Sequence, residues 1–271
     1  MADDNGLRDR WALILGASSG MGAATALELA RNGMHIFGVH FDLRSTLPNA
    51  QRVVAQVQEL GREAILFNMN AADPKKRAQI LDAMEERLKA EKPPATVRVL
   101  MHSLAFGSLC PYVPVDPKEA VTQAQMEMTL DVMAHSLVYW VQDVVYRGLM
   151  EPGGRVYGMT SAGSTRILPR YGPVGCAKAA LEYHVRQLAV ELAPRGIAVN
   201  AIRAGITDTP ALRKIPGALQ MLAIAGRRNP SGRATTIEDV ARAIVALSDE
   251  RTAWITGNVI GVDGGEELIA G

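Results

Sequence analysis

The segment from Gly16 to Gly22 has the spacing of a turn that binds phosphate. Gly16, Gly20 and Gly22 follow Trp11–Leu15, which reads as a buried strand, and they open a predicted helix. Such glycines let the backbone turn tightly and approach a pyrophosphate, and a helix N-terminus offers free N–H groups and a positive dipole end. The strand–turn–helix context that a dinucleotide-binding motif requires is therefore present. The alternative is a glycine-rich turn without a ligand.

A tyrosine, a lysine and a serine in the second half of the chain form a candidate catalytic group. Tyr171 and Lys178 lie seven residues apart at the start of a predicted helix. If both follow helical geometry, they are about 20° short of sharing one face, with about 10 Å of rise between them. A lysine near a phenol favours the phenolate, so we expect Lys178 to lower the pKa of Tyr171. Ser161, at the end of a strand, could steady a developing oxyanion. The alternatives are a helix-entry tyrosine, a solvated lysine and a capping serine.

The end of the second predicted strand bears on the choice of dinucleotide. A carboxylate there favours NAD, whereas basic groups favour NADP. The segment contains His40, Asp42 and Arg44, and the acidic Asp42 favours NAD whereas the basic Arg44 favours NADP. Because Arg44 is placed to reach a phosphate, we predict NADPH, with NADH as the alternative. A solvated loop whose charges contact nothing is the third interpretation.

The composition excludes several classes of protein. The chain has 271 residues, of which 48% are hydrophobic and 21% charged, and its formal net charge is +1. This balance argues against a basic nucleic-acid surface and a polybasic membrane anchor. Cys110 and Cys176 are too few and too far apart for a disulfide scaffold or a cysteine-built metal site. Met1–Arg10 is polar, unlike a signal peptide, and no apolar stretch reaches the roughly 18 residues of a membrane span. We therefore expect a cytoplasmic protein.

Short apolar runs alternate with longer amphipathic stretches along the whole chain. This alternation predicts parallel βαβ units in a doubly wound α/β sheet of about seven strands, in a single domain spanning 1–271. The predicted strands are 11–15, 35–39, 64–67, 97–101, 155–159, 197–202 and 258–262. The predicted helices are 23–31, 49–60, 74–89, 126–149, 172–192 and 237–247.

These motifs resemble those of a known superfamily. The Gly-x3-Gly-x-Gly spacing is typical of the short-chain dehydrogenases/reductases, and the resemblance extends from Trp11 to about Ile269. Most members have Tyr-x3-Lys, but this chain has Ser-x9-Tyr-x6-Lys. That arrangement, with the segments Met101–Phe106 and Asp131–Ser136, resembles the enoyl-acyl-carrier-protein reductases of fatty-acid synthesis.

Two positions show how the chain relates to the branches of that group. Ser161 stands where the commonest bacterial form has tyrosine, so the chain is similar to the NADPH-using, triclosan-tolerant branch. The 203–209 segment lacks the proline that most relatives have near the nicotinamide. Thr207 and Thr209 still match the positions that hold the carboxamide. This departure leaves the identity of the substrate open.

The resemblance implies a reaction and a set of site residues. NAD(P)H would reduce the enoyl thioester of acyl-carrier protein or coenzyme A, with Tyr171 at the developing enolate oxygen and Lys178 on the nicotinamide ribose. Phe106, Gly107 and Tyr171 would bind substrate, under a flap formed by residues 207–230. The cofactor-binding residues that it implies are Gly16, Ser18, Ser19, Gly20, Met21, His40, Arg44, Asn70, Ala71, Ser103, Leu104, Lys178, Thr207 and Thr209. A homodimer or homotetramer is also implied.

Two other functions fit the same motifs. The first is a ketoreductase or alcohol dehydrogenase that uses the shifted tyrosine. The second is a non-catalytic dinucleotide-binding protein, which the Tyr171–Lys178 pair makes the weaker alternative. We expect no metal site, because His135 and Asp131 have no third ligand nearby in the sequence.

Overall fold

The computed structural model describes residues 6–269. Residues 1–5, which include half of the polar N-terminal segment, and residues 270–271 lie outside that range. The strands are Trp11–Leu15 (β1), His35–His40 (β2), Ala64–Asn68 (β3), Val97–His102 (β4), Arg155–Thr160 (β5), Ala198–Ala204 (β6) and Val259–Val262 (β7). The longer helices are Gly20–Arg31 (α1), Leu47–Glu59 (α2), Pro74–Lys89 (α3), Gln123–Leu130 (α4), Ser136–Tyr146 (α5), Gly172–Leu192 (α6), Ala218–Arg228 (α7) and Ile237–Leu247 (α8).

The strands form one parallel sheet in the order β3-β2-β1-β4-β5-β6-β7. The direction of winding reverses between β1 and β4, which are neighbours in the sheet although two strands separate them in the sequence. In open α/β sheets, ligands bind outside the carboxyl ends of the strands at such a switch point. The prediction of a doubly wound parallel sheet is confirmed, and the glycine turn after β1 lies at this point.

Helices cover both faces of the sheet, and this explains the uninterrupted apolar strands. All five residues of β1 are buried. Leu13 and Leu15 pack in one hydrophobic layer with residues of α3, α5 and α6. Ala12 and Ile14 point to the other face and pack with residues of α1, α2 and α8. Because successive side chains of a strand point to opposite faces, β1 contributes to both layers.

The helix bounds show where local sequence signals suffice. α3, α6 and α8 have the predicted bounds, and Asp73 caps α3 by accepting hydrogen bonds from the backbone N–H groups of Lys75 and Lys76. The predicted helix 126–149 is wrong in three respects. It ends at Tyr146 rather than at residue 149. It begins earlier, after a capping box at Thr122, and a π-helical turn at Asp131–His135 divides it into α4 and α5. Within residues 207–230, α7 is the longest helix.

Candidate active site

The turn between β1 and α1 has no room for side chains at two of its glycines. A Cβ on Gly22 would overlap the carbonyl oxygen of Gly16, and a Cβ on Gly16 would lie 2.6 Å from the carbonyl oxygen of Ser103. Gly16 also has a φ of 91°, in the left-handed region. Ser19 precedes α1 without a side-chain capping bond, and the first turn of the helix has no acidic residue. The turn therefore fits the phosphates of a dinucleotide.

The end of β2 faces this turn through Asp42. The carboxylate of Asp42 lies 2.8 Å from Nδ1 of His40. Burial raises the pKa of Asp42, but hydrogen bonds from Thr46, Ser18 and His40 outweigh it and hold the pKa below its usual range. Arg44 is exposed, and no hydrogen bond or ion pair involves its side chain within residues 6–269. The two opposing charges noted in the sequence are therefore in different environments.

Four of the predicted cofactor-binding residues follow β3 and β4 at the same edge of the sheet. Asn70 is exposed, and its Oδ1 accepts a hydrogen bond from the Ala72 N–H at 3.0 Å. Ala71 is buried, and its carbonyl oxygen accepts a hydrogen bond from the indole of Trp140 at 2.8 Å. Ser103 continues β4, and its N–H donates to the carbonyl oxygen of Leu15 at 2.8 Å. Leu104, the residue after Ser103, is half-buried.

Tyr171 and Ser161 are brought together as a hydroxyl pair. Tyr171 precedes the first residue of α6, and its hydroxyl lies 3.3 Å from Oγ of Ser161. Ser161 Oγ also accepts a hydrogen bond from the Gly163 N–H at 3.3 Å, so Ser161 has the capping role as well. Burial raises the pKa of Tyr171, and the hydrogen bond with Ser161 only partly offsets this. The expectation that Lys178 lowers this pKa is therefore wrong, because burial dominates the shift.

Lys178 is a buried ammonium group, with 6% of its surface exposed. Its Nζ donates a hydrogen bond to the carbonyl oxygen of Met159 at 2.7 Å. Burial lowers its pKa to about 8, and the charge of Glu182 opposes this shift. Glu182 is buried too and accepts a hydrogen bond from Thr160 Oγ1 at 2.7 Å. Glu182 was not predicted as a site residue, although its position four residues after Lys178 on a helix is the spacing of facing side chains.

One cavity of about 380 Å³ opens at the carboxyl ends of the strands. Ser161, Tyr171 and Lys178 share its wall. Most of the remaining surface is apolar and is contributed by residues such as Leu109, Met133, Leu168, Leu212, Met221 and Ile224. The cavity thus combines a few polar groups with an apolar lining, which is the composition of a small-molecule site.

The other predicted residues divide between this cavity and its surroundings. Met21, Gly107, Thr207 and Thr209 are in the wall, whereas Phe106 is outside it with 63% of its surface exposed. A neighbouring groove of about 330 Å³ lies between α1, α2 and α8, and its lining includes Ser18, Ser19 and Gly20.

The two threonines that were predicted to hold the carboxamide are buried. Thr207 Oγ1 donates to the carbonyl oxygen of Gly205 at 2.8 Å, and Thr209 Oγ1 accepts from the Leu212 N–H at 3.1 Å. These local bonds shape the segment that follows β6.

Neither a metal cluster nor a membrane span is found between residues 6 and 269. In that range there is no cluster of three or more histidine, cysteine, aspartate or glutamate side chains that could hold a metal ion. None of the helices in the same range combines the length and the apolar character that crossing a membrane requires.

Comparison with known proteins places the chain in one family. A family model described as enoyl-(acyl carrier protein) reductase matches residues 16–267. The chain belongs to this family. The match includes the glycine turn, the Ser161–Tyr171 pair and Lys178, and the resemblance to the short-chain dehydrogenases/reductases is confirmed with it.

Relatives in this family and superfamily differ in what they reduce. The 1-cyclohexenylcarbonyl-CoA reductase of Streptomyces collinus is 30% identical over 266 residues, which cover 97% of this chain and 89% of that enzyme. The enoyl-(acyl-carrier-protein) reductase (NADH) FabI of Escherichia coli K12 is 35% identical over 155 residues, 57% of this chain and 58% of that enzyme. The solved structure of the angucycline C-6 ketoreductase LanV with bound NADP has a TM-score of 0.84 and 25% identity, and the match covers 97% of each chain.

Proposed function

We propose that this protein is an NADPH-dependent reductase of trans-2-enoyl thioesters. The observation that carries the proposal is the position of the phenol. Val174, which stands four residues before Lys178 where most of the superfamily has tyrosine, is a buried residue of the cavity wall. The hydroxyl instead comes from Tyr171, at the start of α6, where it pairs with Ser161. A single catalytic unit spanning 1–271, with 207–230 as the flap, is part of this proposal.

The residues of the cavity are suited to stabilise an enolate. A bound reduced nicotinamide would supply hydride to the β-carbon of the substrate, and negative charge then develops on the thioester oxygen. Because burial raises the pKa of Tyr171, its phenol stays protonated at neutral pH and donates a hydrogen bond to that oxygen. Ser161 orients the phenol through the contact of 3.3 Å. A donor that is already in place for developing charge commonly contributes more to catalysis than any other effect.

Lys178 and its neighbours are suited to hold the nicotinamide ribose. The carbonyl of Met159 uses one of the three ammonium protons, so two remain for ribose hydroxyls. Glu182 supplies negative charge near the ammonium group. These contacts fix Lys178 at the cavity wall.

The apolar lining suits an acyl chain and excludes water from the reacting atoms. Leu212, Met221 and Ile224 come from the 207–230 region and lie on the wall with Tyr171. In a site with little water, the hydrogen bond from Tyr171 to the enolate oxygen is stronger than it is in bulk solvent. The thioester of either acyl-carrier protein or coenzyme A fits this description.

The glycine turn and the end of β2 support a pyridine dinucleotide, and we propose NADPH. The carboxylate of Asp42 already has Ser18, Thr46 and His40 as partners, whereas the exposed guanidinium group of Arg44 is available for a 2′-phosphate. The charge of Asp42 opposes that phosphate, so the ratio of the two cofactor affinities tests this assignment directly. Homodimer or homotetramer assembly and a cytoplasmic location stay predictions from the resemblance.

The test is a comparison of four reactions. Purified protein is given NADPH or NADH with either a crotonyl thioester or an acetoacetyl thioester, and oxidation of the cofactor is followed by absorbance. We expect turnover of the crotonyl thioester with NADPH and little with the acetoacetyl thioester. Turnover of the acetoacetyl thioester alone would support a ketoreductase, the activity that LanV is named for. Binding of dinucleotide without any turnover would contradict both activities.

A further inference from the structure

The wall of the cavity contains a buried carboxyl group that the proposed chemistry does not use. Glu266 is 3% exposed and begins the C-terminal turn Glu266–Leu268. Its Oε2 accepts a hydrogen bond from the backbone N–H of Ile206 at 3.1 Å. The two residues are 60 positions apart in the chain, and both line the cavity. This bond therefore ties the C-terminal turn to the segment that follows β6.

The backbone on both sides is shaped to allow this approach. A Cβ on Gly205 would lie 2.8 Å from Glu266 Oε2, so only glycine leaves room for the carboxyl group. On the other side, Gly264 and Gly265 have φ values of 60° and 88°, which side chains rarely adopt. The end of α7 also holds the turn, because Nη2 of Arg228 donates to the carbonyl oxygen of Glu266 at 3.2 Å.

The bond satisfies two groups that are costly to bury alone. A backbone N–H without a partner in a protein interior is destabilising, and so is a carboxyl group without a donor. Burial raises the pKa of Glu266, and the negative charges of Glu267 and Asp263 raise it further. The hydrogen bond from the Ile206 N–H and the charge of Arg228 act in the opposite direction and lower it. Either protonation state keeps an oxygen that accepts from Ile206. The residue at 206 must therefore have an N–H, which proline lacks.

We propose that Glu266 is a positioning residue, whose carboxyl group holds the Ile206 amide and thereby fixes residues 205–209 at the nicotinamide end of the cavity. Thr207 and Thr209 belong to this segment, and both lie in the cavity wall with their side chains buried. The part that concerns the nicotinamide rests on the proposed function. The link between Glu266 and Ile206 does not, since it can be measured in the free protein.

The first experiment measures amide hydrogen exchange of residues 203–209 in the free protein. Glu266→Leu removes the acceptor, and we expect exchange at Ile206 to become at least tenfold faster. Glu266→Gln keeps an acceptor oxygen, so we expect exchange within about threefold of the wild type. Glu238→Gln, on the exposed first turn of α8, controls for the loss of a carboxylate elsewhere. Unchanged exchange in Glu266→Leu, or equal acceleration in Glu266→Gln, would overturn the proposal.

The second experiment measures dinucleotide affinity by fluorescence, which needs no turnover. We expect Glu266→Leu to raise the Kd for NADPH about tenfold, the scale of one hydrogen bond to a charged group, and Glu266→Gln to leave it within about twofold. In an Ile206→Pro background, which has no N–H to hold, Glu266→Leu should have no further effect on the Kd. A full additional loss there would refute the link. If instead exchange responds as expected but no thioester is reduced, the positioning role stands and the proposed reaction fails.

Discussion

Replacing Tyr171 with phenylalanine isolates the hydroxyl group on which the proposed chemistry depends. The substitution deletes one oxygen and keeps the ring, which packs so closely on Gly163 that a Cβ there would overlap it. The lost hydrogen bond, to Ser161, is 3.3 Å long. Such a bond contributes at most about 1 kcal/mol, which for a chain of this size lowers Tm by about 2–4 °C. Tyr171→Phe should therefore fold.

The expected loss of activity is much larger than the loss of stability. Removing one donor from a developing oxyanion costs about 10²–10³ in kcat, equivalent to about 2.7–4 kcal/mol of transition-state stabilisation. Ser161→Ala leaves the phenol in place and removes only its orienting partner, so we expect a loss of about tenfold in kcat. Dinucleotide affinity should change less than twofold in both variants, because neither hydroxyl is assigned to the cofactor.

Tyr157 provides a matched control. It is fully buried in β5, and its hydroxyl lies 3.2 Å from Oγ of Ser248, outside the cavity wall. Tyr157→Phe removes the same atom and a similar hydrogen bond, so it should lower Tm by a similar amount and leave kcat unchanged. The assay is oxidation of NADPH with saturating crotonyl thioester, together with thermal melts of all variants. If Tyr171→Phe kept kcat within threefold of the wild type, or if Tyr157→Phe lost as much, the assignment of Tyr171 would be refuted.

Three further predictions follow from individual residues. Gly22→Ala places a Cβ on the Gly16 carbonyl oxygen, so the Kd for dinucleotide, measured by fluorescence, should rise at least tenfold; an unchanged Kd would show that phosphate binds elsewhere. Arg44→Ala should raise the Kd for NADPH about tenfold, through loss of a charged phosphate contact, and change that for NADH less than twofold; equal effects would contradict the NADPH assignment. Burial lowers the pKa of His102 from 6.5 to about 3, so the unfolded chain binds a proton that the native protein excludes. The free energy of unfolding should therefore fall as pH drops from 6.5 to 3, by up to about 5 kcal/mol from this group. In denaturant titrations across that range, the free energy of unfolding of His102→Asn should fall less with decreasing pH than that of the wild type. An equal fall in both proteins would show that His102 does not cause the pH dependence.

The strands could be predicted because their signal is local. Parallel strands covered on both faces are continuous apolar runs, and β1 has the bounds that its five apolar residues indicate. The division of the helix predicted at 126–149 could not be predicted, because the π-helical turn at Asp131–His135 adds one residue to a turn without changing the composition. The extra residue rotates α5 about the helix axis relative to α4. The helical period of α4 therefore does not predict which residues of α5 are buried.

Some features of the candidate site could likewise be predicted from the sequence, and others could not. Lys178 could be placed on α6, because the helix predicted at 172–192 has the observed bounds, and Tyr171 could be placed directly before it. Ser161 follows from its motif. The direction of the Tyr171 pKa shift could not be predicted, because it depends on how completely the surrounding elements bury the phenol. The contact between Glu266 and Ile206 joins residues from distant parts of the chain, and no sequence period reports such a pair.

If Lys178 holds the nicotinamide ribose as proposed, its buried ammonium group also makes proton uptake part of dinucleotide binding. With a pKa of about 8, the side chain loses its proton in the free protein at mildly alkaline pH. Ribose hydroxyl oxygens accept hydrogen bonds from the charged form, so a bound dinucleotide raises this pKa and draws a proton from solution. Affinity above pH 8 should then decline with rising pH, and the heat of binding should vary with the ionisation enthalpy of the buffer. Under that proposal, Lys178 would make the fraction of protein with bound cofactor depend on pH.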